Sequence, residues 1–182
     1  MKFTRLAIPD LVLIEPQVFG DARGSFVMTW QDEAFRRGIA DVTFIQDNQS
    51  RSRQWTLRGL HFQSRHTQGK LVRCSAGRVW DVAVDVRRAS STFGHWAATE
   101  LSEDNQHQLW IPPGFAHGFL VLSETADIQY KVTDRYDASS EQTIRWNDPA
   151  IGIDWPIPAG VQPVLSAKDT SGTPLAMSAA LP

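Results

Sequence analysis

The sequence predicts an all-β domain built as a sandwich or barrel. Short runs of β-branched and aromatic residues recur along nearly the whole chain, with Gly, Pro and Asn/Asp between them. Helical periodicity is confined to one short segment. No internal repeat of solenoid length and no low-complexity block interrupts the pattern. The 182 residues suit a single domain, 1–182, large enough for a real core.

The elements follow in order. The opening MKFTRLAIPDLVLIEP is broken by Pro9, Asp10 and Glu15, which makes it a poor signal peptide. The turn-like GDARG leads into a strand, GSFVMTW. Asp32 is placed to cap a short helix, EAFRRG, that ends at Gly38. Strands are then expected in VTFIQDNQS and TLRGLHFQ, and as a pair turning near Ala76 and Gly77 in KLVRCSAGRVWDVAVDVR. HWAATELS, HQLWIP, HGFLVLS, DIQYKVTDRY and QTIRWND complete the set. The tail, 171–182, has no clear period and is expected to be peripheral.

Composition narrows the function. Hydrophobic residues make up 42% and charged residues 21%, the balance of a soluble globular protein. A net charge of -2 provides no basic field for nucleic acid. No apolar run is long enough to span a bilayer, and the cytoplasm is the expected compartment. The lone cysteine, Cys74, excludes an intrachain disulfide, and its place in a strand suits a buried, inert thiol. Seven Trp and nine Phe suggest aromatics at a cavity or interface as well as in the core.

Strand parity singles out polar groups on apolar faces. Lys70 is in phase with Val72 and Cys74, His117 with Phe119 and Val121, and Tyr130 with Ala126, Ile128 and Val132. The wall of a ligand cavity has this pattern. In LRGLHFQ, Arg58 and His61 are three apart, so a regular strand separates them; a bulge at Gly59 would bring them to one side.

Of the five histidines, His95 and His107 border turns and His66 lies in a polar loop. His61 and His117 sit among apolar strand residues. The stretch WIPPGFAHGF carries a P-x-G-x-x-H pattern over Pro112, Gly114 and His117, as one ligand segment of metal-binding cupins does. The companion H-x-H pair is missing, since Phe62 and Gln63 follow His61. A metal needs three or more converging ligands, and His61, His66 and His117 are poorly spaced for it. Lys168 and Asp169, in LSAKDT, fit either a solvated loop pair or a carboxylate that orients a base histidine.

Together these strings resemble the dTDP-4-dehydrorhamnose 3,5-epimerases, the RmlC-type cupins. The resemblance runs through FGDARGSF, FIQDNQSRS, LRGLHFQ, GKLVRCSAGRVWDVAVDVR, WIPPGFAHGF, YKVTDRYD, EQTIRWNDPAIGIDWP and LSAKD, about nine-tenths of the chain. It implies a jelly-roll β-sandwich, a homodimer, no metal and no organic cofactor. It implies proton removal and return beside the ketone of a nucleotide-linked 4-keto-6-deoxy sugar. His61 is then the base, Asp169 its orienting carboxylate, Tyr130 the acid on the other face, and Lys70 the cation near the ketone oxygen. Arg23, Phe26, Gln46, Asp47, Asn48, Arg58, His117, Glu141 and Lys168 fall at substrate-contact positions, with Arg23 and Phe26 reaching into the partner's pocket.

One position departs from the family pattern R-G-x-F-x-E. Here RGSFVM puts Met28 where the glutamate stands, and a thioether cannot replace a carboxylate as an acceptor. Nucleotide or sugar preference is the property this touches. Three other readings remain at this point: an epimerase that inverts one carbon, a metal-dependent cupin oxygenase, and a sugar-nucleotide binding module without catalysis.

Overall fold

The computed structural model describes residues 1–178 and 181. In chain order the strands are β1 (Lys2–Arg5), β2 (Val12–Glu15), β3 (Val18–Asp21), β4 (Gly24–Val27), β5 (Gln46–Arg53), β6 (Leu57–Gln63) and β7 (Lys70–Ala76). They continue with β8 (Arg78–Asp85), β9 (Trp96–Ser102), β10 (Gln108–Ile111), β11 (Phe115–Val121), β12 (Thr125–Val132) and β13 (Glu141–Thr143). Two antiparallel sheets, ordered β1-β2-β10-β7-β12-β5 and β13-β6-β11-β8-β9, stack as a jelly-roll sandwich. The hairpin β3-β4 stands apart as a two-stranded sheet.

The main core lies between the two sheets. Val72, Cys74, Val79, Ala83, Leu109, Phe119 and Ile128 fill it, each in the inward phase of its strand. The five-stranded sheet is also covered on its outer face, where Leu57, Leu60, Val82, Val84 and Leu120 pack beneath Ile151 and Trp155. Burial on both faces explains why RVWDVAVD and FAHGFLV read as nearly continuous apolar runs; all seven residues of β11 are buried. Burying each large aliphatic side chain contributes about 1.5–3 kcal/mol.

The aromatic surplus has a packing explanation on the other sheet. Trp30, Phe35, Phe44 and Trp110 meet at ring separations of 4.9–5.8 Å, mostly edge to face, and seal helix α1 (Asp32–Gly38) against the outer face of the six-stranded sheet. The helix begins one residue earlier than the cap expectation. Gln31 is the N-cap, without a side-chain cap bond, and Asp32 instead accepts from Arg36 one turn on.

Three short strands, β1, β2 and β3, were not expected from the N-terminal sequence. The expected strand VTFIQDNQS pairs only from Gln46 onward, and QTIRWND contributes only through Thr143 plus a bridge at Ile144. LSAKDT is not a loop. Helix α2 (Ala167–Thr170) forms there, opened by a capping box in which Ser166 and Asp169 satisfy each other's backbone N–H groups. Beyond it, Thr173 bridges Ile144, Leu175 is buried against the outer-face cluster, and Leu181 bridges Arg87. Residues 179, 180 and 182 of the expected tail lie outside the described residues.

One close approach shapes the pocket. Gly59 has φ +133, and a Cβ there would lie 2.5 Å from the Gly118 Cα. Only glycine at both positions lets β6 and β11 run this near. The ladder between them shifts register between His117 and Phe119, opposite Gly59 and Leu60.

Candidate active site

The chemistry-bearing residues come from both walls of the sandwich interior. Lys70 on β7 alternates with buried Val72 and Cys74, Tyr130 on β12 with Ile128 and Val132, and Asn48 on β5 stands opposite Tyr130. On the facing sheet, His61 of β6 is the ladder partner of His117 on β11. A cleft of about 110 Å³ is lined by His61, Lys70, Phe115, Tyr130, Tyr136 and Glu141.

His61 Nε2 lies 2.6 Å from Asp169 Oδ1. Asp169 is 3% exposed, and it also accepts from the Gly59 N–H at 3.2 Å and the Ser166 hydroxyl at 2.6 Å. Burial alone would raise its pKa; the bonds from His61, Ser166 and Gly59 outweigh that and hold the carboxyl at about 2. An ionised carboxylate only accepts, so Nε2 carries the hydrogen and Nδ1 keeps its lone pair. Asp169 favours the imidazolium, but burial is the larger effect and leaves the His61 pKa below its ordinary value. The net direction is opposite to the increase in basicity expected from the carboxylate alone. The ring is therefore neutral at pH 7 and able to take a proton.

Burial pushes the Tyr130 phenol above its ordinary value, partly offset by Arg58, so it stays protonated. Arg58 donates from Nε to Ser52 Oγ at 3.0 Å. Arg58 is exposed and does not line the His61 cleft, but its charge acts on Tyr130. Lys70 donates to the His61 carbonyl at 3.4 Å. Burial lowers its pKa to about 8, against the pull of Asp81 and Glu141. Glu141 pairs with Lys168 through Oε1 and accepts from the Tyr136 hydroxyl at 2.9 Å through Oε2, closing one side of the cleft.

His117 is buried, with Nε2 at 2.9 and 3.1 Å from the two oxygens of Asp81. Gln46 donates to Asn48 at 2.7 Å. Asp47 takes the opposite face of β5 and pairs with Lys131 at 2.9 Å. A roomier hollow of about 410 Å³, around Asp47, Arg73, Gln108, Gln129 and Lys131, has no histidine in its lining. Arg23 and Phe26 do not join the His61 cleft within the chain. They sit on the β3-β4 hairpin, where the Arg23 side chain pairs with Asp21 and Phe26 is 68% exposed. Met28 follows that hairpin and is exposed. Among the described residues, no three His, Cys, Asp or Glu side chains gather as ligands for a metal ion.

Tyr136, which lines the cleft, and Asp81, which bonds His117, were not singled out in the sequence. Tyr136 lies in a polar loop with no periodic signal. Asp81 was legible by the parity already used for Lys70 and Tyr130, since it alternates with Val79 and Ala83. Cys74 is fully buried, and burial pushes its thiol up to about 12, consistent with an inert role.

The same arrangement of strands and side chains leads to known proteins. Residues 5–177 match the family model described as dTDP-4-dehydrorhamnose 3,5-epimerase. The enzyme of that name from Pseudomonas aeruginosa is 54% identical over 173 residues, covering 94% of both chains. The one from Neisseria gonorrhoeae is 54% identical over 172 residues; the match covers 94% of this chain but 52% of that relative's length. The crystal structure of the Legionella pneumophila epimerase RmlC in complex with dTDP-4-keto-L-rhamnose superposes with a TM-score of 0.93. That pair is 47% identical, covering 97% of this chain and 93% of the other. With sequence and backbone agreeing over almost the full length, the chain belongs to the dTDP-4-dehydrorhamnose 3,5-epimerase family.

Proposed function

We propose that this protein epimerises a dTDP-linked 4-keto-6-deoxy sugar at the carbons flanking the ketone. The observation that carries the reading is the His61–Asp169 pair opening on the same cleft as Tyr130 and Lys70. A hydrogen beside a ketone is acidic because the carbanion delocalises as an enolate. His61 Nδ1 takes that proton, while Asp169 holds the ring and stabilises the imidazolium. The Lys70 ammonium offsets the charge developing on the ketone oxygen. The Tyr130 phenol returns a proton from the opposite side, and this inverts the carbon. The scheme uses side chains alone and needs no organic cofactor or metal.

Arg58 and Lys168 supply cations for the diphosphate, and Asn48, Gln46, His117 and Glu141 hold the remaining polar groups of the substrate. Exposed Phe26 and Arg23 fit donation to the cleft of a second copy, which makes the active unit a homodimer. Among the described residues no helix is long and apolar enough to cross a membrane, and a soluble nucleotide sugar suits a cytoplasmic enzyme.

The test is incubation with the dTDP-4-keto-6-deoxy sugar in deuterium oxide. Two deuterium atoms per product are expected. One atom would restrict the reaction to a single carbon, and none would refute the reading.

A further inference from the structure

Two loops contribute to the rim of the His61 cleft. Residues 64–69, between β6 and β7, supply Thr67 and Gln68, and residues 133–140, between β12 and β13, supply Tyr136. One buried side chain fastens both. Gln63 ends β6 in the same strand phase as His61 and is 5% exposed. Its Nε2 donates to the His66 carbonyl at 2.6 Å and to the Arg135 carbonyl at 3.1 Å, and its Oε1 accepts from the Asp137 N–H at 2.9 Å. Acceptors at one end and a donor at the other fix the orientation of the carboxamide. Both of its hydrogens go to backbone, so Gln63 has none to offer a substrate. Gln68 adds a further tie between the loops, donating to the Asp134 carbonyl at 2.8 Å.

The bonds to Arg135 and Asp137 bracket Tyr136. That residue is 56% exposed, so packing holds little of its ring. Its hydroxyl donates to Glu141 at 2.9 Å, and Glu141 is the ladder partner of Gln63. Tyr136 is thus held at its backbone by Gln63 and at its hydroxyl by the residue paired with Gln63. We propose that Gln63 is a positioning residue: it presents the Tyr136 ring at the cleft rim as an apolar platform for the sugar ring of the substrate. The inference rests on the reading of this cleft as the site of a nucleotide-linked hexose. The C–H faces of a hexose are apolar, and an aromatic ring left bare at a cleft rim is suited to cover one of them. The sugar makes that contact before and during proton transfer alike. It therefore sets KM more than kcat.

The experiment is Gln63→Met, which keeps the length of the side chain and removes its three bonds. KM for the dTDP-4-keto-6-deoxy sugar should rise about tenfold with kcat within about twofold. Tyr136→Ala should do the same. The double variant should have a KM no higher than Tyr136→Ala alone, because the glutamine then has no ring to hold. Single effects that multiply in the double variant, an unchanged KM in either single variant, or a loss of kcat at constant KM overturns the proposal. A second measurement needs no turnover. The chain has two tyrosines, Tyr130 and Tyr136, so fluorotyrosine-labelled protein gives two fluorine NMR signals, assigned with Tyr136→Phe. In Gln63→Met the Tyr136 signal should move toward that of the free amino acid while the Tyr130 signal stays; an unmoved Tyr136 signal overturns the proposal. Gln63→Glu, which keeps the acceptor for Asp137 and loses both donors, is the second variant and should show the same rise in KM. Collapse of both Gln63 variants, followed by near-UV circular dichroism, would make the residue purely structural and also overturn it. Deuterium uptake by the unaltered enzyme is measured alongside. If that uptake is normal and the KM effects multiply, this inference fails while the epimerase reading stands; absent uptake sinks the epimerase reading itself.

Discussion

Asp169 holds His61 by a 2.6 Å contact to Nε2, from a helix only four residues long that is anchored by its own capping box. The carboxylate raises the ring's proton affinity and burial lowers it. Asp169→Asn removes the raising effect and leaves burial to act alone. The acid limb of kcat/KM should therefore move to lower pH, while kcat falls about a hundredfold or more as the ring loses its orientation. A pH–rate profile of purified variant and parent checks both. An acid limb displaced upward would contradict this account of the pair.

In the proposed scheme His61 and Tyr130, on two walls of the cleft, divide the proton traffic. His61→Asn should reduce deuterium uptake at the substrate by about 10²–10⁴-fold while leaving thymidine diphosphate binding nearly intact. Tyr130→Phe removes the donor and leaves the base, so exchange on the His61 face should outlast inversion. Mass spectrometry for deuterium and proton NMR for configuration separate the two. Full exchange in His61→Asn would reassign the base.

The pH range of the unaltered enzyme follows from the same groups. The proposed scheme requires neutral His61 and charged Lys70. His61 is held below its ordinary value by burial, so activity should appear on the acid side of pH 6.5 as the pH rises. Lys70, lowered to about 8, should lose its proton as the pH climbs through that value, and activity should decline with it. The expected profile is a bell with its alkaline limb near pH 8. A rate that stays flat to pH 10 would remove Lys70 from the charge-stabilising role.

Much of this site was legible before any coordinates. Parity alone put Lys70, His117 and Tyr130 on apolar faces, and those faces are the sandwich interior. Resemblance supplied the pairing of His61 with Asp169, which local pattern left open between a solvated loop and an orienting carboxylate. What stayed hidden depended on partners distant in sequence. Asp169 is buried only because α2 docks on β6, and LSAKDT alone does not reveal that docking. The placement of Arg58 and His61 depends on a glycine meeting another glycine on β11, a fact about two strands rather than one. The N-terminal strands were missed because four-residue elements such as KFTR and VFGD are too short to show a period. The hairpin residues Arg23 and Phe26 face solvent, away from the His61 cleft of their own chain.

The meeting of Gly59 and Gly118 gives a stability prediction. A methyl at position 59 would lie 2.5 Å from the Gly118 Cα and 3.0 Å from the His117 carbonyl oxygen, on a backbone of positive φ. These are backbone atoms, which cannot rotate aside. Gly59→Ala should destabilise the fold by about 2–5 kcal/mol, combining backbone strain with overpacking. Urea unfolding monitored by tryptophan fluorescence measures the loss. A change under about 0.5 kcal/mol, the range of neutral surface substitutions, would mean that the strands can separate at little cost.

The exposed hairpin offers the sharpest test of the assembly. If Arg23 and Phe26 complete a neighbour's cleft, a chain lacking them still donates an intact His61, and a His61→Ala chain still donates an intact hairpin. Mixing Arg23→Ala/Phe26→Ala protein with His61→Ala protein, after mild unfolding and joint refolding, should produce hybrids with one complete cleft each. Random pairing into two-fold dimers makes half of the dimers hybrid, so activity should recover to about one quarter of the parental rate. Each variant refolded alone should remain near its own low rate. If the hairpin instead serves its own chain, every cleft in the hybrid lacks either the base or the hairpin. Mixing then restores nothing, and donation between chains is ruled out.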